Sequence, residues 1–203
     1  MMPAVRLWVI AALLLSAFRY DNDLITEKSY DFSLLNVDGK MVSLADYPDA
    51  KGFIIVFTCN HCPFARLYSE RLNKLSEKYK SQGVPLLAIS STDTLMYAED
   101  GFEEMKKKAN EEHFNFPYLY DGKQEVARNY KADRTPQAFI LWKIAGNWTV
   151  SYKGAIDDNG AEPELVQKEF VSLALDELLS GKPVSIATTS SVGCKLNYRR
   201  IKD

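Results

Sequence analysis

The chain has 203 residues and a mass of 23.0 kDa, a length typical of one domain. It is 46% hydrophobic and 26% charged, which excludes wholesale disorder and a collagen-like structure. The net charge is −2 and no block of Lys or Arg occurs, so nucleic acid is not an expected partner.

The N-terminal segment is predicted to be a secretory signal peptide. Arg6 precedes the uncharged apolar run Leu7–Ala17, which is shorter than the roughly 20 residues of a membrane-spanning helix. We expect residues 1–17 to be removed; an amphipathic or buried N-terminal helix is the alternative. Residues 18–29 are then a linker, and no stable membrane anchor is expected. Export to the periplasm or the extracellular space would allow disulfides to form.

The next part of the chain predicts a hairpin followed by a βαβ unit. Residues 30–44 flank an Asp38-Gly39 turn signal, as in a β-hairpin. The apolar run Phe53–Phe57 predicts a strand buried on both faces. The spacing of apolar residues over Pro63–Tyr79 predicts a helix, and Val84–Ser90 predicts a second buried strand.

Further elements follow from apolar periodicity and from turn residues. In chain order they are an exposed charged helix over 99–113, a strand Phe116–Asp121, a helix near 123–130, strands Ala138–Trp142 and Trp148–Tyr152 around a Gly146-Asn147 turn, and a helix that starts at Pro163 and contains Leu178. This order predicts an α/β fold in which a mixed central sheet is flanked by helices. Residues 30–183 form its domain, and 184–203 form a C-terminal tail.

Cys59-Asn60-His61-Cys62 lies where the first buried strand meets its helix. A helix N-terminus stabilises an anion, so a thiolate there has a lowered pKa. Two cysteines one helical turn apart can close a small disulfide. We expect His61 to add partial positive charge that favours the thiolate and makes the disulfide more oxidising.

The same motif allows two other interpretations. A zinc half-site would need two more ligands, for which His61, His113 and Cys194 are the candidates, although none forms a second paired motif. The second interpretation is a structural disulfide that takes part in no reaction. The strand-to-helix context favours a redox dithiol on a thioredoxin-like fold.

Thr135-Pro136 is a second, independent signal, because it directly precedes the apolar strand Ala138–Trp142. A cis peptide bond at Pro136 would bring the backbone alongside the two cysteines. The alternative is an ordinary trans proline in a loop.

Five stretches together resemble the peroxiredoxin-like thioredoxin-fold proteins of the alkyl hydroperoxide reductase and thiol-specific antioxidant superfamily. In chain order they are DFSLLNVDGKMVSL (31–44), FTCNHCPFA (57–65), FPYLYD with the helix after it (116–130), TPQAF (135–139) and YKGAIDD (152–158). The resemblance covers about residues 30–195. It implies a thioredoxin-like fold with an N-terminal β-hairpin and a peroxiredoxin-type helical insertion at about 91–115. It also implies redox-active Cys59 and Cys62, with Pro136 as the cis-proline.

Two departures from the family pattern affect its chemistry. Peroxiredoxins proper have a Thr three residues before the peroxidatic Cys, whereas this chain has Cys59 there and Cys62 at the peroxidatic position. Many relatives carry a Cys just before the Thr-Pro, where this chain has Arg134. Arg134 and Thr135 are therefore auxiliary candidates, as is Cys194, which lies in a Gly-Cys element near the end of these proteins.

The sequence thus predicts an oxidoreductase, without cofactor or bound metal, that exchanges disulfides with a dithiol- or disulfide-bearing protein. By analogy with thioredoxins Cys59 attacks, being the more exposed thiol, Cys62 resolves, His61 tunes the potential and Pro136 orients the partner chain. The alternative is an antioxidant thiol peroxidase, in which Cys62 attacks a hydroperoxide and Cys59 resolves. A second alternative is a binding module of a metal or haem pathway that uses the dithiol as a ligand.

Overall fold

The computed structural model describes residues 29–199. The predicted signal peptide over 1–17, and all of the linker except Ser29, lie outside the described residues. In the part of the chain that is described, no helix is both long and apolar enough to cross a membrane.

One mixed sheet of seven strands forms the centre of the domain. Its strands are β1 Ser33–Asn36, β2 Met41–Ser43, β3 Gly52–Thr58, β4 Leu86–Ser90, β5 Tyr118–Tyr120, β7 Gln137–Ile144 and β8 Asn147–Gly154. They are ordered β2-β1-β5-β4-β3-β7-β8; β3, β4 and β5 are parallel, and the other neighbours are antiparallel. The hairpin and the βαβ unit are therefore confirmed. Two short strands, β6 Arg134–Thr135 and β9 Cys194–Lys195, pair with each other.

Helices cover both faces of the sheet. Their bounds are α1 Pro63–Arg66, α2 Ser69–Lys80, α3 Phe102–Glu111, α4 Glu125–Tyr130 and α5 Phe170–Leu179. Because side chains alternate along a strand, Ile54 and Val56 of β3 join the apolar cluster that contains α2 and α5, whereas Ile55 joins the cluster that contains α4. This arrangement confirms the predicted α/β fold, with α3 as the helical insertion between β4 and β5.

The single helix predicted over Pro63–Tyr79 is wrong, because the helix is interrupted between α1 and α2. At this point Leu67 and Tyr68 donate to carbonyls only three residues back, those of Phe64 and Ala65. Such bonds tighten the helix locally. The interruption leaves α1 as one short turn that carries the cysteine motif.

The helix predicted to start at Pro163 is also wrong in its start. Pro163–Leu165 forms a 3-10 turn, and α5 begins only at Phe170. Between them the chain bonds to the loop after β8: the side chain of Asp158 accepts from Gln167 N, and Asp158 N donates to Lys168 O. These bonds replace the helical ones that residues 166–169 would otherwise make.

The turn between β7 and β8 lies one residue earlier than predicted. Ala145 and Gly146 take the two positive φ angles, 49° and 84°, as a two-residue hairpin turn requires.

The predicted C-terminal tail, residues 184–203, packs onto the domain as far as it is described. Val184 and Leu196 are 3% and 4% exposed, and β9 pairs with β6.

Candidate functional site

The two cysteines of the motif lie between β3 and α1, with Cys62 as the residue that caps the N-terminus of α1. β3 is buried along its whole length and ends at Thr58, so the chain turns into the motif at the edge of the core. Cys59 and Cys62 are both 0% exposed. The expectation that Cys59 is the more exposed thiol is therefore wrong. Exposure does not show which of the two thiols attacks first.

A buried carboxylate from the insertion holds the motif in place. Asp100, which is 0% exposed, accepts the backbone N–H of Asn60 at 2.5 Å and that of His61 at 3.3 Å. It ends the 3-10 turn Ala98–Asp100 just before α3. The sequence did not predict this role for Asp100, since no local pattern indicates a contact between segments about 40 residues apart.

His61 is paired with the same carboxylate. Its Nδ1 lies 2.5 Å from Asp100 Oδ2, and its ring stacks on Tyr97 at a centroid distance of 3.8 Å. The electrostatic effect that we expected from His61 alone is therefore that of a His–Asp pair. Asn60 completes the anchoring, since it donates to Glu99 O at 2.8 Å and accepts from Tyr118 Oη at 2.9 Å.

Thr135 meets both sulfur atoms from the opposite side. Its Oγ1 lies 3.2 Å from Cys59 Sγ, and its carbonyl oxygen lies 3.2 Å from Cys62 Sγ, which donates to it when protonated. The Thr135-Pro136 peptide bond is cis, as expected. The short strand β6, which contains Thr135, therefore packs directly against the two cysteines.

The two thiols have opposite pKa shifts. The pKa of Cys62 is lowered to about 4, first by the hydrogen bond from the Cys59 thiol, then by the Cys194 thiol and the N–H groups of Ala65 and Cys194, although burial opposes this. The pKa of Cys59 is raised by its hydrogen bond to Cys62, by burial and by the Asp100 carboxylate. The two shifts are coupled, because each thiol changes the pKa of the other.

The other two of the three auxiliary candidates from the sequence, Arg134 and Cys194, differ in position. Arg134 is exposed, and its guanidinium donates to Gly193 O at 2.9 Å, so it holds the C-terminal segment. Cys194 packs against the two motif cysteines, and its backbone N–H lies 3.4 Å from Cys62 Sγ. Burial and the neighbouring Cys62 raise the pKa of Cys194 to about 11. The site therefore contains three thiols.

Among residues 29–199, one group could hold a metal ion. Cys59, His61 and Asp100 offer ligand atoms that all lie within 4.8 Å of one another. His113, which was a candidate ligand in the sequence, is exposed beyond the end of α3 and is not part of this group. The carboxylate of Asp100 already accepts three hydrogen bonds, so a metal would have to displace some of them.

The YKGAIDD stretch, residues 152–158, supports the site indirectly, through its contacts with α2. Asp157 accepts from Tyr68 Oη at 2.7 Å and from Arg71 Nη1 at 2.8 Å. Arg71 also donates to the carbonyls of Asn159 and Gly160. This cluster fastens α2 to the loop after β8 and makes no contact with the sulfur atoms.

Known proteins match this chain in part. A model of the AhpC/TSA family matches residues 25–157. A glutathione peroxidase of Lactococcus lactis subsp. cremoris is 43% identical over 60 residues, which are 30% of this chain and 37% of that protein. Thiol-disulfide oxidoreductase ResA of Bacillus thuringiensis is 24% identical over 119 residues, 59% of this chain and 64% of ResA. The chain thus spans less than two thirds of the length of these two relatives.

A crystal structure of an uncharacterized conserved protein from Geobacillus kaustophilus resembles the whole domain. It is 38% identical, with a TM-score of 0.79, and the match covers 86% of this chain and 92% of that one. The central sheet, the N-terminal hairpin and the helical insertion together form a thioredoxin-like fold.

Proposed function

Because the chain belongs to the AhpC/TSA family, we propose that it is a thiol–disulfide oxidoreductase that cycles Cys59 and Cys62 between a dithiol and a disulfide. One observation carries this proposal. Both sulfur atoms lie 3.2 Å from Thr135, and the coupling of the two thiols lowers the pKa of one and raises the pKa of the other. A stable thiolate beside a protonated thiol is the arrangement that disulfide exchange needs.

The pKa directions favour Cys62 as the attacking sulfur. Its thiolate attacks one sulfur of a partner disulfide, that S–S bond breaks, and a mixed disulfide forms while one partner thiolate leaves. Cys59 then loses its proton and attacks Cys62 Sγ, which releases the second partner thiolate and leaves a Cys59–Cys62 disulfide. The two electrons of the dithiol thus reduce the partner disulfide. This order is the reverse of the one expected from the sequence.

The partner in this proposal is a protein that carries a disulfide or a dithiol. Pro136 follows Thr135, which touches both motif sulfur atoms, and lines a cavity of about 240 Å³ together with Tyr68 and Phe170. This cavity can receive a side chain of the partner. Export, which the N-terminal segment suggests, would supply disulfide-bearing partners, because such bonds persist outside the cytosol. We therefore propose a periplasmic or extracellular location.

Trapping experiments test both the function and the order of attack. The Cys59→Ser,Cys194→Ser variant should hold a mixed disulfide through Cys62 when it is mixed with an oxidised model protein such as insulin. Cys62→Ser,Cys194→Ser is the matched control, and trapping by this control alone would reverse the assigned order. Failure of wild-type protein to form a reversible Cys59–Cys62 disulfide would reject the function itself.

A second candidate is a thiol peroxidase, which the burial of the Cys62 thiolate favours, because a small hydroperoxide reaches a buried sulfur more easily than a protein does. Cys62 would attack the hydroperoxide and become a sulfenic acid, releasing an alcohol or water. Cys59 would then form the disulfide and release water. Turnover with hydrogen peroxide, at a rate that exceeds exchange with protein disulfides, would favour this candidate.

The third candidate is a module that binds metal or haem-pathway partners through the dithiol. The ligand atoms of Cys59, His61 and Asp100 favour it. Stoichiometric zinc or copper in the reduced, purified protein would support this candidate, and its loss in Asp100→Asn would assign the metal to this group.

A further inference from the structure

Cys194 reaches the dithiol from the far end of the chain. It lies 132 residues after Cys62, and its backbone N–H lies 3.4 Å from Cys62 Sγ. The contact is fixed by strand pairing, since β9 is antiparallel to β6 with Cys194 opposite Thr135. Thr135 of β6, which touches Cys59 and Cys62, is therefore also the residue that fixes the position of the third cysteine.

The residue before Cys194 is adapted to this close approach. Gly193 has a φ of +155°, and a Cβ at this position would lie 2.1 Å from the carbonyl oxygen of Thr135. Real side chains do not tolerate such a distance, so any other residue would push β9 away from Thr135. The Gly-Cys pair thus works as a unit in which the glycine allows the cysteine to reach Cys62.

The three thiols differ in their access to solvent. Cys59 and Cys62 are 0% exposed, whereas Cys194 is partly exposed. An external thiol can therefore meet Cys194 in the folded structure, whereas it meets either sulfur of the motif only after a local opening of the surrounding residues. Cys62 lies between the buried Cys59 and the partly exposed Cys194.

We propose that Cys62 is shared by two disulfides, Cys59–Cys62 and Cys62–Cys194, and that the second is the one that external thiols reduce. This inference rests on the proposed function and adds the route by which the site is reduced. A Cys194 thiolate attacks Cys62 Sγ, the Cys59–Cys62 bond breaks, and Cys59 takes up the proton that Cys194 lost. No electrons enter or leave the protein in this step.

Reduction then proceeds from the solvent side. An external thiolate attacks the Cys194 sulfur, the Cys62–Cys194 bond breaks, and Cys62 leaves as a thiolate. A second external thiol releases Cys194 and becomes part of an external disulfide, so two external thiols supply the two electrons. The low pKa of Cys62 makes it a good leaving group in the first of these steps.

Peptide mapping separates the two disulfides. Trypsin leaves Cys59 and Cys62 together in peptide 52–66 and Cys194 in peptide 169–195. The full-length protein is equilibrated in glutathione buffers, quenched with acid and separated without reductant, and only the monomer band is digested. We expect two oxidised species: peptide 52–66 with an internal disulfide, and peptide 52–66 linked to 169–195.

Four variants make the result decisive. Cys59→Ser, oxidised with diamide, which accepts the two electrons and two protons, should give the linked peptides as its main product. Gly193→Ala should lower the linked fraction about tenfold, which is a shift of about 30 mV in that couple. Gly39→Ala is the matched control, because Gly39 also has a positive φ and a Cβ there would meet nothing within 4 Å, so the linked fraction should stay unchanged. Cys194→Ser should remove the linked species.

The outcomes distinguish this inference from the proposed function. An internal disulfide in peptide 52–66 of the wild type, with no linked peptide in the wild type or in Cys59→Ser, would overturn the Cys62–Cys194 disulfide and leave the Cys59–Cys62 disulfide intact. Absence of both species rejects the proposed function. Linked peptides that persist unchanged in Gly193→Ala would contradict the positioning argument.

Discussion

His61 Nδ1 lies 2.5 Å from the carboxylate of Asp100, which is itself completely buried beside the dithiol. The same carboxylate is one of the causes that raise the pKa of Cys59. The carboxylate therefore disfavours a thiolate in the site, whereas we expect the imidazole, which is paired with that carboxylate, to favour one. Because the two groups are in contact, their effects on the reduction potential should be coupled.

Our first prediction is a double-mutant cycle on this pair. Asp100→Asn removes a negative charge near the thiols, favours the reduced form and should raise the reduction potential by about 30 mV. His61→Ala leaves the carboxylate uncompensated and should lower the potential by a similar amount. The double variant should keep a potential close to that of Asp100→Asn, because the effect of His61→Ala acts through the carboxylate that this variant lacks. Equilibration with glutathione measures all four values, and strictly additive or same-sign effects would contradict the coupling.

Our second prediction concerns the pH dependence of the thiolate. With its pKa lowered from 9.0 to about 4, Cys62 should be ionised at neutral pH and should lose its charge only as the pH falls towards about 4. The ultraviolet absorbance of the thiolate, measured as reduced minus oxidised protein, follows this change directly. Cys62→Ser should remove the acidic step. Cys59→Ala should raise its midpoint, because the strongest hydrogen bond to Cys62 is lost. An acidic step that survives in Cys62→Ser would assign the thiolate elsewhere.

Our third prediction tests whether the C-terminal segment is part of the folded domain. Leu196 is 4% exposed and belongs to the apolar cluster on the α4 face of the sheet. Leu196→Ala should lower the free energy of unfolding by about 2–5 kcal/mol. Val192→Ala, at a residue that is 61% exposed, should change it by less than about 0.5 kcal/mol. Urea unfolding measures both, and equal values would mean that the segment contributes little to stability.

Our fourth prediction concerns the buried ion pair between Arg71 and Asp157. Arg71 and Asp157 are 14% and 5% exposed, so removal of one partner leaves a charge poorly compensated in the interior. Asp157→Asn should lower the free energy of unfolding by about 3 kcal/mol. The Lys74–Glu70 pair on the surface of α2 is the control, and Lys74→Met should have no measurable effect. A reduction potential that changes in Asp157→Asn would show that this cluster does more than support the fold.

Local signals in the sequence were sufficient for much of the architecture. The apolar run of β3 predicts a buried strand because both of its faces are covered, and the Asp38-Gly39 turn predicts the hairpin because that turn fixes the strand register. The position of the cysteine motif between β3 and α1 follows from the same pattern. These features depend on residues that are close together in the chain.

The contacts that Asp100 and Cys194 make with distant segments were not predictable in this way. Asp100 meets the motif only because the insertion packs over it, and acidic residues before a helix are common in exposed turns. Cys194 lies in a Thr/Ser-rich segment without apolar periodicity, so nothing local indicates that it pairs with Thr135. The late start of α5 has a similar cause, since Asp158 competes for the backbone groups of residues 166–169.

The complete burial of Cys59 and Cys62 has a kinetic consequence. A reagent that must touch either sulfur can react only while the surrounding residues are displaced, so a local opening precedes every such encounter. At low concentration of the reagent the rate rises in proportion to it. At high concentration the rate reaches a plateau equal to the opening rate, and this plateau is the same for every reagent. The protein itself, rather than the reagent, then sets the speed of its own oxidation.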